Sequence, residues 1–250
     1  FSTIAHYLGH IGRHLPEKTI SPIGTLHSPF VEKFGLPRQP GLLRSAKAEV
    51  CLLPPFNDPN AVQGLDAFSH LWLTFGFHQH PHDSWRPMVR PPRLGGNSRV
   101  GVFATRSPYR PNGLGLSVVA LKAIVVAGKE VRLEIECPDI LSGSPIYDIK
   151  PYIHYADSIP DTVAGYANTQ PETLLEVMFE GCCLDMISKL DKAIYGDLKQ
   201  LIIDVLSLDP RPAYKQHSHD TKVYAMRLYD LDIAFRIESN KAIVSAMERY

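Results

Sequence analysis

Short apolar runs separated by turn residues dominate the first part of the chain. These runs are Val50–Leu53, His70–Phe77, Arg99–Thr105, Ser117–Val126 and Val131–Cys137. They are rich in β-branched and aromatic residues and are bounded by Gly, Pro, Asn or Asp, which is typical of strands in a β-barrel or a sandwich. The nearly continuous run F-S-H-L-W-L-T-F-G-F-H predicts a strand buried on both faces, and Gly128-Lys129 predicts a hairpin turn.

The pattern changes after residue 157. Residues 158–170 have the composition of a linker, and Cys182–Ile194 and Gly196–Leu208 show helical periodicity that Asp209-Pro210 ends. Lys222–Arg227, Ile233–Ile237 and Ala242–Met247 predict a three-stranded meander. The expected organisation is an N-terminal extension over 1–20, a β-rich domain over 21–157, a linker over 158–170 and a small α+β domain over 171–250.

Composition limits the class of protein. The formal net charge is 0, with 26 basic and 26 acidic residues among 250. No apolar run approaches the roughly 18 residues that a membrane span needs, so we expect no membrane partner. The four cysteines show no C-x-x-C spacing, and the first twenty residues make a poor secretory signal. A cytoplasmic location is the simplest expectation.

Local charge is far from neutral in one stretch. Between Ser84 and Lys129 there is no Asp or Glu, and the stretch contains six arginines, at 86, 90, 93, 99, 106 and 110. On a free surface these cations would repel one another. A phosphate backbone relieves that repulsion through neutralisation and counterion release, and the planar guanidinium binds phosphate with two hydrogen bonds. The stretch therefore predicts a polyanion or phosphate ligand rather than an ordinary solvated loop.

Histidines and carboxylates supply the other candidate chemistry. His78, His80 and His82 would point the same way on an extended chain, as zinc ligands do. However, Pro81 interrupts the strand and no cluster of Cys, Asp or Glu accompanies it, so we predict no metal site. His78 and Gln79, at the end of the apolar run, suit hydrogen bonds to a ligand. Asp139 and Asp148 suit either a cleft or, as turn residues, their own backbone.

Several long phrases resemble one family. They are S-P-F-V-E-K-F-G-L-P-R-Q-P-G at 28–41, F-S-H-L-W-L-T-F-G-F-H-Q at 68–79, the arginine stretch with A-T-R-S-P-Y-R-P-N, and D-I-L-S-G-S-P-I-Y-D-I-K-P-Y at 139–152. Together they resemble the TsaA-like family, the TrmO type of tRNA N6-adenosine methyltransferase. The phrase D-P-R-P-A-Y at 209–214 is similar to bacterial members with a second small domain.

The resemblance implies a β-barrel enzyme that uses S-adenosylmethionine as cofactor. It also implies a homodimer and a tRNA substrate that carries N6-threonylcarbamoyladenosine beside the anticodon and reads threonine codons. The positions that match the family's cofactor segments are Arg38, Gln39, Pro40, His78, Gln79, Arg106, Leu116, Asp139, Ile140, Leu141 and Ser142.

Roles follow from the resemblance as hypotheses. Arg106 or Arg38 would hold the carboxylate of the cofactor by charge-assisted bonds. Asp139 would accept a hydrogen bond from the ribose or the amino group, and Leu116 would cover the adenine. The contacts expected with tRNA phosphates are Arg86, Arg90, Arg93 and Arg110.

Proton transfer and function class stay open at this point. Tyr109 and Asp148 are possible proton acceptors, and no catalytic base is assigned. Two other function classes are a non-catalytic RNA-binding module, which would explain the arginines without a cofactor, and a metal-dependent hydrolase that uses His78, His80 and His82.

Overall fold

The structure is a computed structural model that describes residues 17–80, 85–136, 138–169, 175–211 and 222–250. Most of the expected N-terminal extension, and with it His82 and Cys137, lies outside these ranges. No helix of the described part is both long enough and apolar enough to cross a bilayer.

Six antiparallel strands form a closed barrel in the order β1-β2-β7-β6-β3-β8. These strands are β1 Gly24–His27, β2 Lys47–Leu52, β3 His70–Gly76, β6 Leu114–Ala127, β7 Glu130–Glu136 and β8 Pro145–Pro151. The predicted β-rich fold is thereby confirmed. The hairpin turn is confirmed as well, because Ala127 pairs with Glu130 across Gly128 and Lys129.

Alternation along each strand fills the barrel. Leu71, Leu73 and Phe75 of β3 point inward and are at most 5% exposed, while Trp72 and Thr74 between them are half-buried on the outer face. The prediction that this strand is buried on both faces is therefore wrong. A barrel strand has one interior face, and the outer face of β3 carries large residues that remain in contact with solvent.

The arginine stretch is mostly irregular. Instead of a strand over Arg99–Thr105, the chain forms a two-residue strand, β5 Val100–Gly101, that pairs with β4 Met88–Val89. A 3₁₀ turn over Val102–Ala104 follows, and Thr105 Oγ1 donates to the Val102 carbonyl at 2.7 Å. This local hydrogen bond offers the backbone an alternative to the ladder, which explains why the prediction of a full strand is wrong.

The C-terminal part is a four-stranded sheet with helices, ordered β10-β11-β12-β9. A one-turn helix, α1 His154–Asp157, precedes this part of the chain. The elements of the C-terminal part are β9 Glu176–Phe179, α2 Gly181–Lys189, α3 Lys192–Tyr195, α4 Leu198–Ser207, β10 Tyr224–Leu228, β11 Leu231–Glu238 and β12 Lys241–Arg249. The predicted meander is confirmed, with β9 added parallel to β12. The predicted helix Cys182–Ile194 is two helices, because Asp191 caps α3 by accepting from the Ala193 N–H at 2.8 Å.

One segment of the barrel region is built into the C-terminal unit. The connection between β1 and β2, residues 28–46 and here called the docking segment, places Phe30, Leu43 and Ala46 in the C-terminal hydrophobic core, where each is at most 2% exposed. Phe34 stacks on Tyr224 and Phe235 with ring centroids 6.3 and 6.2 Å apart.

Backbone bonds fasten the same segment to the edge of the C-terminal sheet. The Tyr229 N–H donates to the Pro29 carbonyl at 2.8 Å, and the Arg227 N–H donates to Glu32 Oε1 at 3.0 Å. Phe30 forms an isolated antiparallel bridge with Leu228 at the end of β10. The docking segment therefore leaves the barrel and returns to it after packing against another core.

Candidate functional site

The loop between β7 and β8, residues 138–144, lies against the start of the docking segment. Ser28 Oγ donates to the Ile140 carbonyl at 3.1 Å, and the Ser142 N–H donates to the Phe30 carbonyl at 2.7 Å. The Gly143 N–H donates to the Leu26 carbonyl, also at 2.7 Å. These bonds join parts of the chain more than 100 residues apart in sequence and hold Asp139–Ser142 against the start of the docking segment, which further along carries Arg38, Gln39 and Pro40.

Asp139 is the most constrained ionisable group of this site. Its Oδ1 accepts a hydrogen bond of 2.5 Å from the hydroxyl of Ser117, which is 1% exposed on β6. Burial raises the pKa of Asp139, while the Ser117 hydroxyl and the charge of Arg106 act in the opposite direction. Arg106 Nη1 in turn donates to Gln39 Oε1. Gln39, Arg106 and Asp139 therefore form one polar cluster.

Arg38 faces the C-terminal unit. The residue as a whole is exposed, yet desolvation of its guanidinium lowers its pKa, an effect that the Asp209 carboxylate opposes and Arg93 reinforces. Asp209 forms a buried ion pair of 2.7 Å with Arg211, in which the side chains are 1% and 3% exposed. Arg38, to which the family resemblance assigns carboxylate binding, thus lies in the electrostatic field of the buried Asp209–Arg211 ion pair that follows α4.

His78 and Gln79 extend the site at the end of β3. The Nδ1 of His78 lies 3.1 Å from Ser144 Oγ, and Gln79 Nε2 donates to the Val31 carbonyl at 3.2 Å. Ser144 lies in the same loop as Asp139–Ser142, and Val31 lies in the docking segment that this loop contacts. Desolvation lowers the pKa of His78, and the charge of Lys33 lowers it further, so that the neutral imidazole is favoured near pH 7.

Two hollows open near these residues. One, of about 400 Å³, lies between the docking segment and the outer face of the barrel, with Pro40, Arg44, Val118 and Glu136 in its walls. Its volume falls within the range of about 300–1,000 Å³ for small-molecule sites. Leu116, 57% exposed, precedes Val118 on the same outer face of β6.

The second hollow, of about 150 Å³, is called here the Trp85 hollow. Its walls include His78, His80, Trp85, Arg110 and Tyr147. His78 is the residue that this hollow shares with the cluster of predicted cofactor positions. Trp85 is 54% exposed, an unusual state for so large an aromatic side chain.

The four arginines expected at phosphates differ in their surroundings. The Arg86 guanidinium lies 4.7 Å above the Tyr109 ring, and Arg93 Nη2 donates to Thr169 Oγ1 at 3.2 Å. Arg110 is half-buried and donates to the Thr105 carbonyl at 3.1 Å, whereas Arg90 is exposed. Contact of these residues with phosphate stays a prediction.

The remaining candidates take different places. Asp148 forms an ion pair of 3.0 Å with Lys150 and is not among the residues lining the Trp85 hollow. Tyr109 lies between Arg86 and His80, whose ring centroid is 4.3 Å away. His82 lies outside the described residues, and within the described ranges no three His, Cys, Asp or Glu side chains form a group that could hold a metal ion.

Sequence reasoning missed several residues that build the site. Ser117 and Ser144 orient Asp139 and His78, yet serines in apolar or turn contexts carry no distinctive sequence signal. Trp85 has a sequence signal, because it is a tryptophan within the acid-free arginine stretch. Tyr147 lies within the phrase at 139–152, but the phrase alone indicates no role for it.

Two family models match the chain. The model of the tRNA-methyltransferase O N-terminal domain matches residues 25–158, and the model of the TrmO C-terminal domain matches residues 172–250.

Individual relatives match over almost the whole length. The tRNA (adenine(37)-N6)-methyltransferase of Escherichia coli K12 is 46% identical over 226 residues, which cover 90% of this chain and 96% of the relative. A Pseudomonas aeruginosa protein named "Putative S-adenosylmethionine-dependent methyltransferase RcsF" is 43% identical over 86% of this chain and 90% of its own length. The crystal structure of TrmO from Pseudomonas aeruginosa aligns with a TM-score of 0.78 at 35% identity and covers 95% of this chain and 99% of that one.

Proposed function

This chain belongs to the tRNA-methyltransferase O family, and from that premise we propose that it transfers a methyl group from S-adenosylmethionine to N6 of adenosine 37 in tRNA. The finer substrate that we propose is adenosine already carrying N6-threonylcarbamoyl, as the sequence resemblance implies. The observation that carries the proposal is the convergence of Gln39, Arg106, Asp139 and His78 at one end of the barrel, from four separate parts of the chain.

The residues present suit the cofactor chemically. Bound S-adenosylmethionine supplies an electrophilic methyl group on a sulfonium. Arg106, and Arg38 on the docking segment, offer guanidinium donors for the amino-acid carboxylate. Asp139 offers an acceptor for a ribose hydroxyl or the amino group, and the exposed Leu116 next to the 400 Å³ hollow offers an apolar surface for the adenine.

The chemical step requires the target nitrogen to face the methyl carbon and to lose a proton. Fixed orientation alone can contribute about 7–11 kcal/mol to such a displacement. His78 and His80 both have lowered pKa values, first through desolvation and then through nearby Lys33. Neutral imidazoles at this position can accept a hydrogen bond from the exocyclic amine, and we leave the catalytic base unassigned.

Methyl transfer from labelled cofactor tests the function directly. The two substrates are tRNA that carries threonylcarbamoyladenosine and otherwise identical tRNA that lacks it. We expect label only in the modified tRNA. Equal labelling of both would remove the threonylcarbamoyl requirement, and absence of label from both would reject methyl transfer and favour a non-catalytic RNA-binding module.

Calorimetric titration with S-adenosylmethionine tests the cofactor site. Because charge-assisted hydrogen bonds contribute about 1.5–3 kcal/mol, Arg106→Ala should weaken binding about tenfold to hundredfold. The matched control is Arg99→Ala, which removes an exposed arginine of the same stretch and should leave cofactor affinity unchanged. A stoichiometric metal in protein purified without a tag would instead support the hydrolase alternative.

We also propose that the chain forms a homodimer through an exposed apolar surface. Tyr155, Ile159 and Val163 are 89%, 71% and 90% exposed, and Phe103 is 77% exposed. The Tyr166 hydroxyl donates to the Ala104 carbonyl at 3.1 Å, which joins the 153–167 segment to the region of Phe103. Exposed large apolar side chains gathered in one region are a mark of protein interfaces. Light scattering should give twice the monomer mass, and Ile159→Lys should reduce it to the monomer.

A further inference from the structure

The Trp85 hollow has a floor that depends on one glycine. Gly76 ends β3, and a Cβ atom at this position would lie 2.9 Å from the Tyr147 ring and 3.0 Å from Pro145. Any larger residue would displace Tyr147 or Pro145, both of which line the hollow. The close approach of the two strands therefore keeps the space beside Tyr147 open, which is a common reason for glycine near a ligand.

The opposite wall is a rigid turn in an uncommon conformation. Asn112 has φ 66°, in the left-handed region, and Gly113 follows with φ 57°. The Phe77 N–H donates to the Gly113 carbonyl at 2.9 Å, which fixes the turn against the end of β3. Asn and Gly adopt this conformation more readily than other residues, so the pair Asn112-Gly113 suits the turn. Here the turn holds Arg110 at the hollow.

Arg110 is held with its guanidinium in a defined place. Its Nη1 donates to the Thr105 carbonyl at 3.1 Å and the residue is half-buried. A guanidinium has five N–H donors in a planar fork, and this bond uses one of them. The remaining donors form the planar fork that binds a carboxylate or a phosphate with two hydrogen bonds, and in Arg110 the bond to Thr105 restricts the orientation of that fork.

Aromatic rings supply other walls. His80 lines the hollow, and its ring centroid lies 4.3 Å from that of Tyr109 at an interplanar angle of 45°, while the Arg86 guanidinium lies 4.7 Å from the Tyr109 ring. Trp85 adds an indole that is 54% exposed. Proteins recognise unstacked RNA bases on aromatic faces of this kind, and each stacked base contributes about 1–3 kcal/mol.

The position of the Trp85 hollow relative to the predicted cofactor residues indicates which part of the substrate it would bind. His78 lines the hollow and also contacts Ser144, in the loop that carries Asp139. In a methyl transfer, acceptor and donor must approach within about 3–3.5 Å. A base held in this hollow would lie beside His78, next to the loop that carries Asp139.

We propose that the Trp85 hollow receives the target base after it leaves the anticodon-loop stack, with Trp85 as the stacking surface and Arg110 paired with the carboxylate of the N6-threonylcarbamoyl group. This assignment rests on the proposed function and goes beyond it. It gives Arg110 a role in substrate selection in place of the phosphate contact that its sequence context predicts.

Substitution of Trp85 tests the stacking surface. Trp85→Ala should lower kcat/KM for tRNA about 5-fold to 150-fold, the range expected for one lost stacking contact, while calorimetric affinity for S-adenosylmethionine is unchanged. Trp85→Phe should restore most of the activity. The matched control is Phe56→Ala, which removes an aromatic side chain that is 41% exposed and does not line the hollow.

Substitution of Arg110 separates carboxylate recognition from phosphate contact. Binding is measured with S-adenosylhomocysteine present, for tRNA with and without threonylcarbamoyladenosine, over a range of salt concentrations. Wild type should prefer the modified tRNA, and Arg110→Gln should bind both tRNAs with the wild-type affinity for the unmodified one. Arg90→Gln should weaken both equally and reduce the salt slope by about 1.

The outcomes distinguish this inference from the function on which it rests. If wild type transfers no methyl group to either tRNA, the proposed function fails. If wild type is active but Trp85→Ala keeps full kcat/KM, the assignment of the hollow is overturned. If Arg110→Gln weakens both tRNAs equally and flattens the salt slope, Arg110 contacts phosphate and its pairing with the carboxylate is rejected.

Discussion

The barrel and the C-terminal unit form their hydrophobic cores in different ways. The barrel closes on itself, and its core cluster consists of its own strands and adjacent loops. The C-terminal core incorporates Phe30, Leu43 and Ala46 of the docking segment. The first region is self-contained, whereas the second is completed by residues that precede β2. A catalytic barrel can therefore depend on a neighbouring unit for the shape of its own site.

The difference has a direct bearing on the cofactor positions. Asp139 and Ser117 are fixed by barrel strands and by the loop after β7, but Arg38, Gln39 and Pro40 are carried on the docking segment. Their placement follows from packing against α4 and β10, as shown by Ser45 Oγ, which donates to Asp204 Oδ2 at 2.6 Å. Substitutions in the two regions should therefore have separable effects.

The largest expected effect is on the buried pair beside Arg38. Arg211→Met should lower the free energy of unfolding by about 3–5 kcal/mol, because it removes the guanidinium that forms a 2.7 Å ion pair with the buried Asp209 carboxylate. Denaturant unfolding measures the loss, and calorimetry should show weaker cofactor binding in the folded fraction. The double variant Asp209→Asn with Arg211→Met should recover part of the stability. Equal cofactor affinity in all variants would contradict coupling between the two regions.

An intermediate effect is expected at Asp139, on the barrel side. Asp139→Asn should weaken S-adenosylmethionine binding about tenfold or more, as expected for a lost charge-assisted hydrogen bond. The same substitution should increase the stability of the unliganded protein. Because burial raises the pKa of Asp139 above the unfolded value of 3.8, the native carboxyl holds its proton longer and wild type loses stability as pH rises through that window.

The Asn variant lacks this titration. Its stability relative to wild type should therefore increase from pH 3.8 up to the raised pKa of Asp139 and stay constant above it. Unfolding measured at a series of pH values tests the sign. A stability difference that does not vary with pH would show that Asp139 titrates alike in the folded and unfolded chains.

The smallest effect compares two polar contacts of similar length. Ser45→Ala removes the 2.6 Å bond between the docking segment and Asp204 and should cost about 1.5 kcal/mol, with a measurable loss of cofactor affinity. Lys150→Gln removes the 3.0 Å ion pair with Asp148 on the barrel, where the side chains are 71% and 48% exposed. It should cost less than about 1 kcal/mol and leave cofactor affinity unchanged.

Much of the fold could be predicted from local pattern. The strands β3, β6 and β7 have long apolar runs that predict them, and the residues Gly128-Lys129 predict the turn. β1 Gly24–His27 and β8 Pro145–Pro151 lack such a signal, because the first has only four residues and prolines bound the second. Such strands are fixed by their neighbours in the closed barrel rather than by their own propensity.

Only part of the candidate site could be predicted from the sequence. Residue types and long phrases indicated the cofactor positions, but no spacing rule brings Ser28 to Ile140 or Arg106 to Gln39. Those contacts depend on barrel closure and on the packing of the docking segment into a core formed more than 150 residues later, as the bond between Ser45 and Asp204 shows. The residues that orient others, Ser117 and Ser144, become visible only with the fold.

The hydrogen bond between Glu32 and the Arg227 backbone, 195 positions apart, sets an order of events during synthesis. A ribosome adds about 5–20 residues per second, so the docking segment emerges roughly 10–40 seconds before β10, β11 and β12 can receive it. The barrel strands are complete once residue 151 has been made, while the loop that carries Arg38–Pro40 still lacks its support. A nascent chain should therefore be unable to bind the methyl donor tightly until translation of the last strand has ended.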